Sequence, residues 1–200
     1  FKLVNEGTLA LIFADVSGHG MAGAFVTGII KTTFELALEH PHTPQEFMTH
    51  LNDLLERLTP EESYAAVVFA LYQPERRRLR YVNAGHQPVP IIVRADGQNV
   101  KKADNGTGPV VGFTTDADYE VREIDMKPGD RFVLCTDGVT ESFSEQNELF
   151  GEQRLYKLLT ETAEEPVQEV PARILDAVQE HCGRAPQTDD RAVLAIEVCG

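Results

Sequence analysis

The strongest constraint on the fold comes from the run of short apolar segments and turns that begins at Tyr64. Residues 64–72 are rich in β-branched and aromatic side chains. Gln73 to Arg77 reads as a turn, and Leu79 to Asn83 returns as a partner strand. Val89 to Arg94 follows and ends at the turn Asp96-Gly97. Tyr119 to Asp125 and Arg131 to Thr136 flank the turn Lys127-Pro128-Gly129-Asp130, and residues 101–115, with Gly106, Gly108, Pro109 and Gly112, read as loop. Hairpins clustered in this way imply antiparallel sheet, not a doubly wound parallel one.

Helical segments lie on either side of that run. Leu9 to Val16 is a buried strand, Gly18 to Gly20 a tight turn, and Met21 to Glu39 a helix with Ala22, Phe25, Val26, Ile29, Ile30, Thr33 and Ala37 along one face. A second helix starts at Thr43, where Thr43, Pro44 and Glu46 spell a capping box; Phe47, Leu51, Leu55 and Leu58 form its stripe. Helices near Glu152 to Thr162 and Val167 to His181 precede a last strand, Ala192 to Val198. The expected class is α+β: two packed, mainly antiparallel sheets flanked by helices. A length of 200 residues without a Pro/Gly/Ser-rich linker fits a single domain over 1–200.

Composition excludes several function classes. A formal net charge of -14 disfavours nucleic acid and anionic membrane surfaces as partners. The acidity either aids solubility or includes carboxylates that hold cations. No run approaches the about 18 apolar residues of a membrane helix. Three cysteines, Cys135, Cys182 and Cys199, are an odd count without close pairing, which implies reduced thiols and a cytoplasmic location. No P-loop, GxSxG elbow, CxxC or HExxH motif is present, and no cysteine has an arginine six residues later. Gly18-His19-Gly20-Met21-Ala22-Gly23 spells GxGxxG, but Asp15 would repel a pyrophosphate and the next strand that a dinucleotide fold needs is replaced by helix.

What remains is a set of acids at strand ends. Asp15 ends LALIFAD, Asp137 ends RFVLCTD, and Asp189-Asp190 precede AVLAIEV. Singly, each is a turn residue bonding backbone amides. Together, converging carboxylates repel unless cations neutralise them, and oxygen ligands without a Cys/His cluster favour Mg²⁺ or Mn²⁺. Two such ions activate a water for displacement at phosphorus without a protein nucleophile.

Residues 15–20 (DVSGHG), 83–86 (NAGH), 134–141 (LCTDGVTE), 150–155 (FGEQRL) and 188–190 (TDD) resemble, in order, the motifs of the SpoIIE/RsbU branch of the PPM serine/threonine phosphatases. The resemblance implies two Mn²⁺ or Mg²⁺ ions. Asp15 would bridge them, Val16 would offer a backbone carbonyl, and Asp137 and either Asp189 or Asp190 would complete the ligands. Ser17, Gly18, His19 and Gly20, with Asn83 and His86, would meet the phosphate, although His19 and His86 fit a structural role equally. His40, His42 and His50 match nothing in the family. The implied activity is hydrolysis of phosphoserine or phosphothreonine on a phosphorylated STAS-domain protein, an anti-sigma-factor antagonist. An upstream sensor domain and a homodimer are compatible with it. The alternative is a pseudophosphatase serving as a scaffold. Three departures stand out: Gly108 to Gly112 only loosely matches GxPLG, Arg191-Ala192 replaces an apolar-Thr pair, and the family's first strand, GGDFYD, is not seen ahead of Phe1.

Overall fold

The computed structural model describes residues 1–4, 7–18, 20–39, 43–60, 62–97, 99–103 and 108–200. His19, His40, His42 and Gly106 lie outside the described residues. The chain divides into two compact units: residues 1–86 with 104–125, and residues 87–103 with 126–200.

The first unit is built on a five-stranded antiparallel sheet, β1 (Lys2–Leu3), β2 (Leu9–Val16), β3 (Ala65–Gln73), β4 (Arg78–Ala84) and β7 (Arg122–Asp125), in that spatial order. β2 and β3 pair from Leu9↔Tyr72 to Val16↔Ala65, and β3 pairs with β4 from Val67↔Ala84 to Gln73↔Arg78. The β3–β4 connection is a 3₁₀ turn over Pro74–Arg76 with Arg77 at φ 49°. Helices α1 (Gly20–Ala37) and α2 (Pro44–Leu58) carry the apolar residues that join the sheet's core. Phe69 stacks on Phe47 at 4.1 Å between ring centres and meets the edge of Phe34 at 6.2 Å.

The capping box at α2 forms as expected. Glu46 N donates to Thr43 Oγ1 at 3.2 Å and Thr43 N donates to Glu46 Oε2 at 2.7 Å. Phe47, Leu51 and Leu55 are buried, but Leu58, in the last turn, is exposed. From Val26 onward α1 buries the expected face, with Ile29 and Ala37 packed against the core, but its first turns do not. Gly23, Val26, Ile30, Thr33 and Phe34 are buried, whereas Ala22 and Phe25 are exposed. At the start of the helix the chain makes a close approach, where a Cβ on Gly23 would lie 3.1 Å from the Gly18 carbonyl oxygen, so a glycine fits there without displacement.

The second unit holds a four-stranded antiparallel sheet in the order β6 (Val100–Lys102), β5 (Ile91–Val93), β8 (Arg131–Cys135) and β9 (Val193–Glu197). α4 (Gly151–Glu161) and α5 (Val170–Cys182) carry Leu155, Leu159, Ile174 and Val178 into its core. β6 falls in the stretch expected to be loop: its exposed lysines leave no strand periodicity, and only its pairing with β5 defines it. A short helix, α3 (Asp137–Thr140), follows β8 directly. The α+β class, with two antiparallel sheets flanked by helices, is the one the sequence implies. Cys135, Cys182 and Cys199 are all free thiols, and among the described residues no helix is long and apolar enough to cross a membrane.

Candidate active site

In the first unit the expected site residues lie along one strand–turn–helix. Asp15 and Val16 are the last residues of β2, half-buried and paired with Ala66 and Ala65. Strand pairing through Asp15 itself holds its carboxylate on rigid backbone. The turn that follows is fastened to residue 64 by a reciprocal pair: Ser17 N donates to the Tyr64 carbonyl and Tyr64 N donates to Ser17 Oγ, both at 2.9 Å. Gly20 then opens α1, so the free N–H groups of the first helical turn begin four residues beyond Val16, the arrangement that binds anions.

Asn83 and His86 form a unit of their own. His86 N donates to Asn83 Oδ1 at 2.8 Å, and Asn83 Nδ2 donates to the His86 carbonyl at 3.1 Å, closing the turn at the end of β4. Both residues are buried, and the His86 ring lies 5.2 Å from that of Phe13. Phe13 and Asp15, two apart on β2, point to the same side of the sheet.

In the second unit the chain brings Asp137 and the Asp189-Asp190 pair together. Thr136 N donates to the Ala192 carbonyl at 3.1 Å, Thr136 Oγ1 donates to the Asp190 carbonyl at 2.8 Å, and Ala192 N donates back to Thr136 Oγ1 at 3.0 Å. Gly138 completes the contact, since a Cβ there would lie 2.3 Å from the Asp190 carbonyl oxygen. Asp189 Oδ1 accepts from Asp190 N at 2.7 Å. Thr136 and Gly138 stand inside the LCTDGVTE segment, yet the sequence gives no sign that they hold the second acidic pair in place.

Asp137 itself starts α3, and its carbonyl accepts from Glu141 N at 2.7 Å. Its Oδ1 is buried and has no hydrogen-bond partner. A buried carboxylate oxygen without a donor is costly, so this atom is suited to a cation. Among the described residues no group of three or more His, Cys, Asp and Glu side chains is placed to hold a metal ion. Within the second unit, the donor chemistry of carboxylates with an orphaned buried oxygen nevertheless fits a hard divalent ion. Cys135 is no rival nucleophile: burial, with the nearby charges of Glu152 and Asp137, pushes its thiol up to about 12, so almost no thiolate exists near neutrality.

Comparison with known proteins agrees with the motif order. The family model for stage II sporulation protein E matches residues 5–199. The chain belongs to the SpoIIE family. Among curated SpoIIE-like relatives, it is 23% identical over 199 residues to phosphoserine phosphatase RsbP of Bacillus subtilis, covering 98% of this chain and 47% of that protein. It is 28% identical over 174 residues to phosphoserine phosphatase RsbU of the same organism, covering 87% of this chain and 51% of RsbU. The chain thus spans about half the length of these two relatives. The RsbU and RsbW domains of Rv1364c from Mycobacterium tuberculosis superpose with a TM-score of 0.84 at 22% identity, over 98% of this chain and 53% of that one. The catalytic domain of the serine/threonine phosphatase PstP, solved with two manganese ions, superposes with a TM-score of 0.67 at 15% identity, over 96% and 88%. The fold is therefore that of PP2C-type phosphatase domains.

Proposed function

We propose that these residues act as one protein phosphatase domain, hydrolysing phosphoserine or phosphothreonine with two Mn²⁺ or Mg²⁺ ions. The ligands in this reading are Asp15, the Val16 carbonyl, Asp137, and Asp189 or Asp190. The observation that carries it is the buried, partnerless Oδ1 of Asp137 in a chain whose family match runs over residues 5–199. When bound, the ions supply an activated water and positive charge for the phosphoryl oxygens.

The chain's own residues do the rest. The reciprocal Ser17–Tyr64 pair fixes the turn so that the N–H groups of Gly18 and Gly20 can bind phosphoryl oxygen at the head of α1. Thr136 and Gly138 hold the Asp189-Asp190 segment beside Asp137. Asn83, its amide engaged with the His86 backbone, orients the chain at the end of β4. His86 supports the Phe13 side of β2 on which Asp15 lies.

The substrate in this reading is a serine-phosphorylated STAS-domain protein in the cytoplasm, with an upstream sensor controlling turnover in a homodimer. The phosphoserine phosphatases RsbP and RsbU support the phosphoserine activity by similarity. Because a net charge of -14 does not draw an acidic substrate from a distance, recognition rests on docking of the whole partner. With Mn²⁺ present, kcat/KM on the intact phosphorylated STAS-domain protein should exceed that on its excised phosphopeptide by at least tenfold. Equal values would overturn the docking reading, and no turnover of either would overturn the activity.

A further inference from the structure

Tyr64, bonded through its backbone to the Ser17 turn, meets an exposed aromatic ring carried on a restrained loop. Phe113 is 66% exposed and Tyr64 40% exposed, and the two rings meet edge to face at 6.0 Å. An exposed phenylalanine on a loop is usually free to move. The residues on either side of this one are fastened to a single buried side chain: Gly112 N donates to Asn52 Oδ1 at 2.8 Å, and Asn52 Nδ2 donates to the Thr114 carbonyl at 3.1 Å. Asn52 is 1% exposed, and its Oδ1 also accepts from Tyr119 Oη at 3.2 Å. Gly112 sits at φ +83°, where a Cβ would lie 2.9 Å from that of Leu55, and Val111 exchanges two backbone hydrogen bonds with Ala65 at 2.9 and 3.0 Å. The Asn52 side chain, the Val111–Ala65 pairing and the close packing of Gly112 together restrain the backbone that presents Phe113.

Tyr64 links this pair to the candidate site. Its backbone N–H and C=O are both bonded to Ser17, one residue after Val16. A protein that offers a phosphoryl group at Ser17 and Gly18 comes next to the residue whose backbone is bonded to that turn. Neither ring is charged, so their contribution is short-range apolar burial, and a ring carried on a restrained backbone needs no loop ordering on contact.

We infer that Tyr64 and Phe113 form a docking platform for apolar side chains next to the phosphoserine of the protein substrate; this rests on the phosphatase reading above. The platform acts on substrate size: p-nitrophenyl phosphate is too small to need it, and a phosphoprotein is not.

The test compares the wild type with Phe113→Ala and Phe113→Tyr in Mn²⁺, on p-nitrophenyl phosphate, a serine-phosphorylated STAS-domain protein and phosphorylated casein. For whichever phosphoprotein the wild type hydrolyses, Phe113→Ala should lower kcat/KM about tenfold, mainly through KM. Turnover of p-nitrophenyl phosphate and the melting temperature should stay unchanged, and Phe113→Tyr should restore the phosphoprotein rate. Unchanged phosphoprotein kcat/KM, or an equal loss on p-nitrophenyl phosphate, would overturn the platform. So would a change from dimer to monomer on sedimentation, which would give the surface to a second copy. Wild-type protein that hydrolyses none of the three would fail the phosphatase reading and this inference with it, an outcome distinct from a defect confined to the variant.

Discussion

At the scale of single residues, the candidate site depends on positions that contribute no ligand. Gly138 is the clearest. Its missing Cβ is what lets the Asp190 carbonyl approach, and the neighbouring Thr136 side chain both donates to and accepts from the same segment. Gly138→Ala should push residues 189–190 away, at a cost of about 1–3 kcal/mol in stability. A calorimetric Mn²⁺ titration should show weaker binding, while far-ultraviolet circular dichroism shows an intact fold. Unaltered Mn²⁺ affinity would mean that the Asp189-Asp190 segment is not part of the metal site. Asn52 is a second such position. Asn52→Ala would leave the Gly112 N–H, the Thr114 carbonyl and the Tyr119 hydroxyl without their buried partner. That should destabilise the protein by about 2–4 kcal/mol, read as a lower denaturant midpoint.

At the scale of elements, the turn before β8 shows how one buried carboxylate organises backbone. Asp130 Oδ2 accepts from Arg94 Nη1 at 2.6 Å and from Lys127 N at 2.8 Å, and its Oδ1 accepts from Ala95 N at 2.9 Å. Burial alone would raise its pKa, but the two backbone donors and the arginine outweigh that and hold the carboxyl below its ordinary value. A group depressed in the folded state contributes stability that is present above its unfolded pKa of about 4, and that stability is lost as pH falls through the folded pKa. Asp130→Asn should therefore melt lower than the wild type at pH 7, and the gap should close as the pH drops below about 4. A gap of constant size down to pH 2 would rule out ionisation as its source. The elements also show what a linear sequence displays. The capping box at Thr43, the strand 9–16 and the hairpin after Tyr64 are local patterns and were legible. β6 was not, because Lys101 and Lys102 are exposed and only pairing with β5 makes them strand. The face of α1 was legible from Val26 onward, but not in its first turns, where the close approach of Gly23 to Gly18 leaves no mark in hydrophobic periodicity. At the site, the motif residues could be read directly, whereas Asn52 could not: its hydrogen bonds reach residues 60 to 67 positions away.

At the scale of the whole molecule, the five ordered motifs have one explanation, a SpoIIE-family domain, and the proposal adds that its acids at strand ends hold cations. Those acids are spread over the length of the chain, from Asp15 to Asp190, so no single peptide segment can bind the ions alone. The central claim is that metal held by these carboxylates drives phosphate-ester hydrolysis. It is tested most directly by phosphate release from a phosphoserine protein, with Mn²⁺ and with excess chelator, by the wild type and by Asp15→Asn, each with its melting temperature recorded. The account predicts turnover by the wild type only with Mn²⁺, and a loss of roughly a thousandfold in folded Asp15→Asn, the worth of several kcal/mol of charge stabilisation. Normal turnover by folded Asp15→Asn, or undiminished wild-type turnover in chelator, would contradict it.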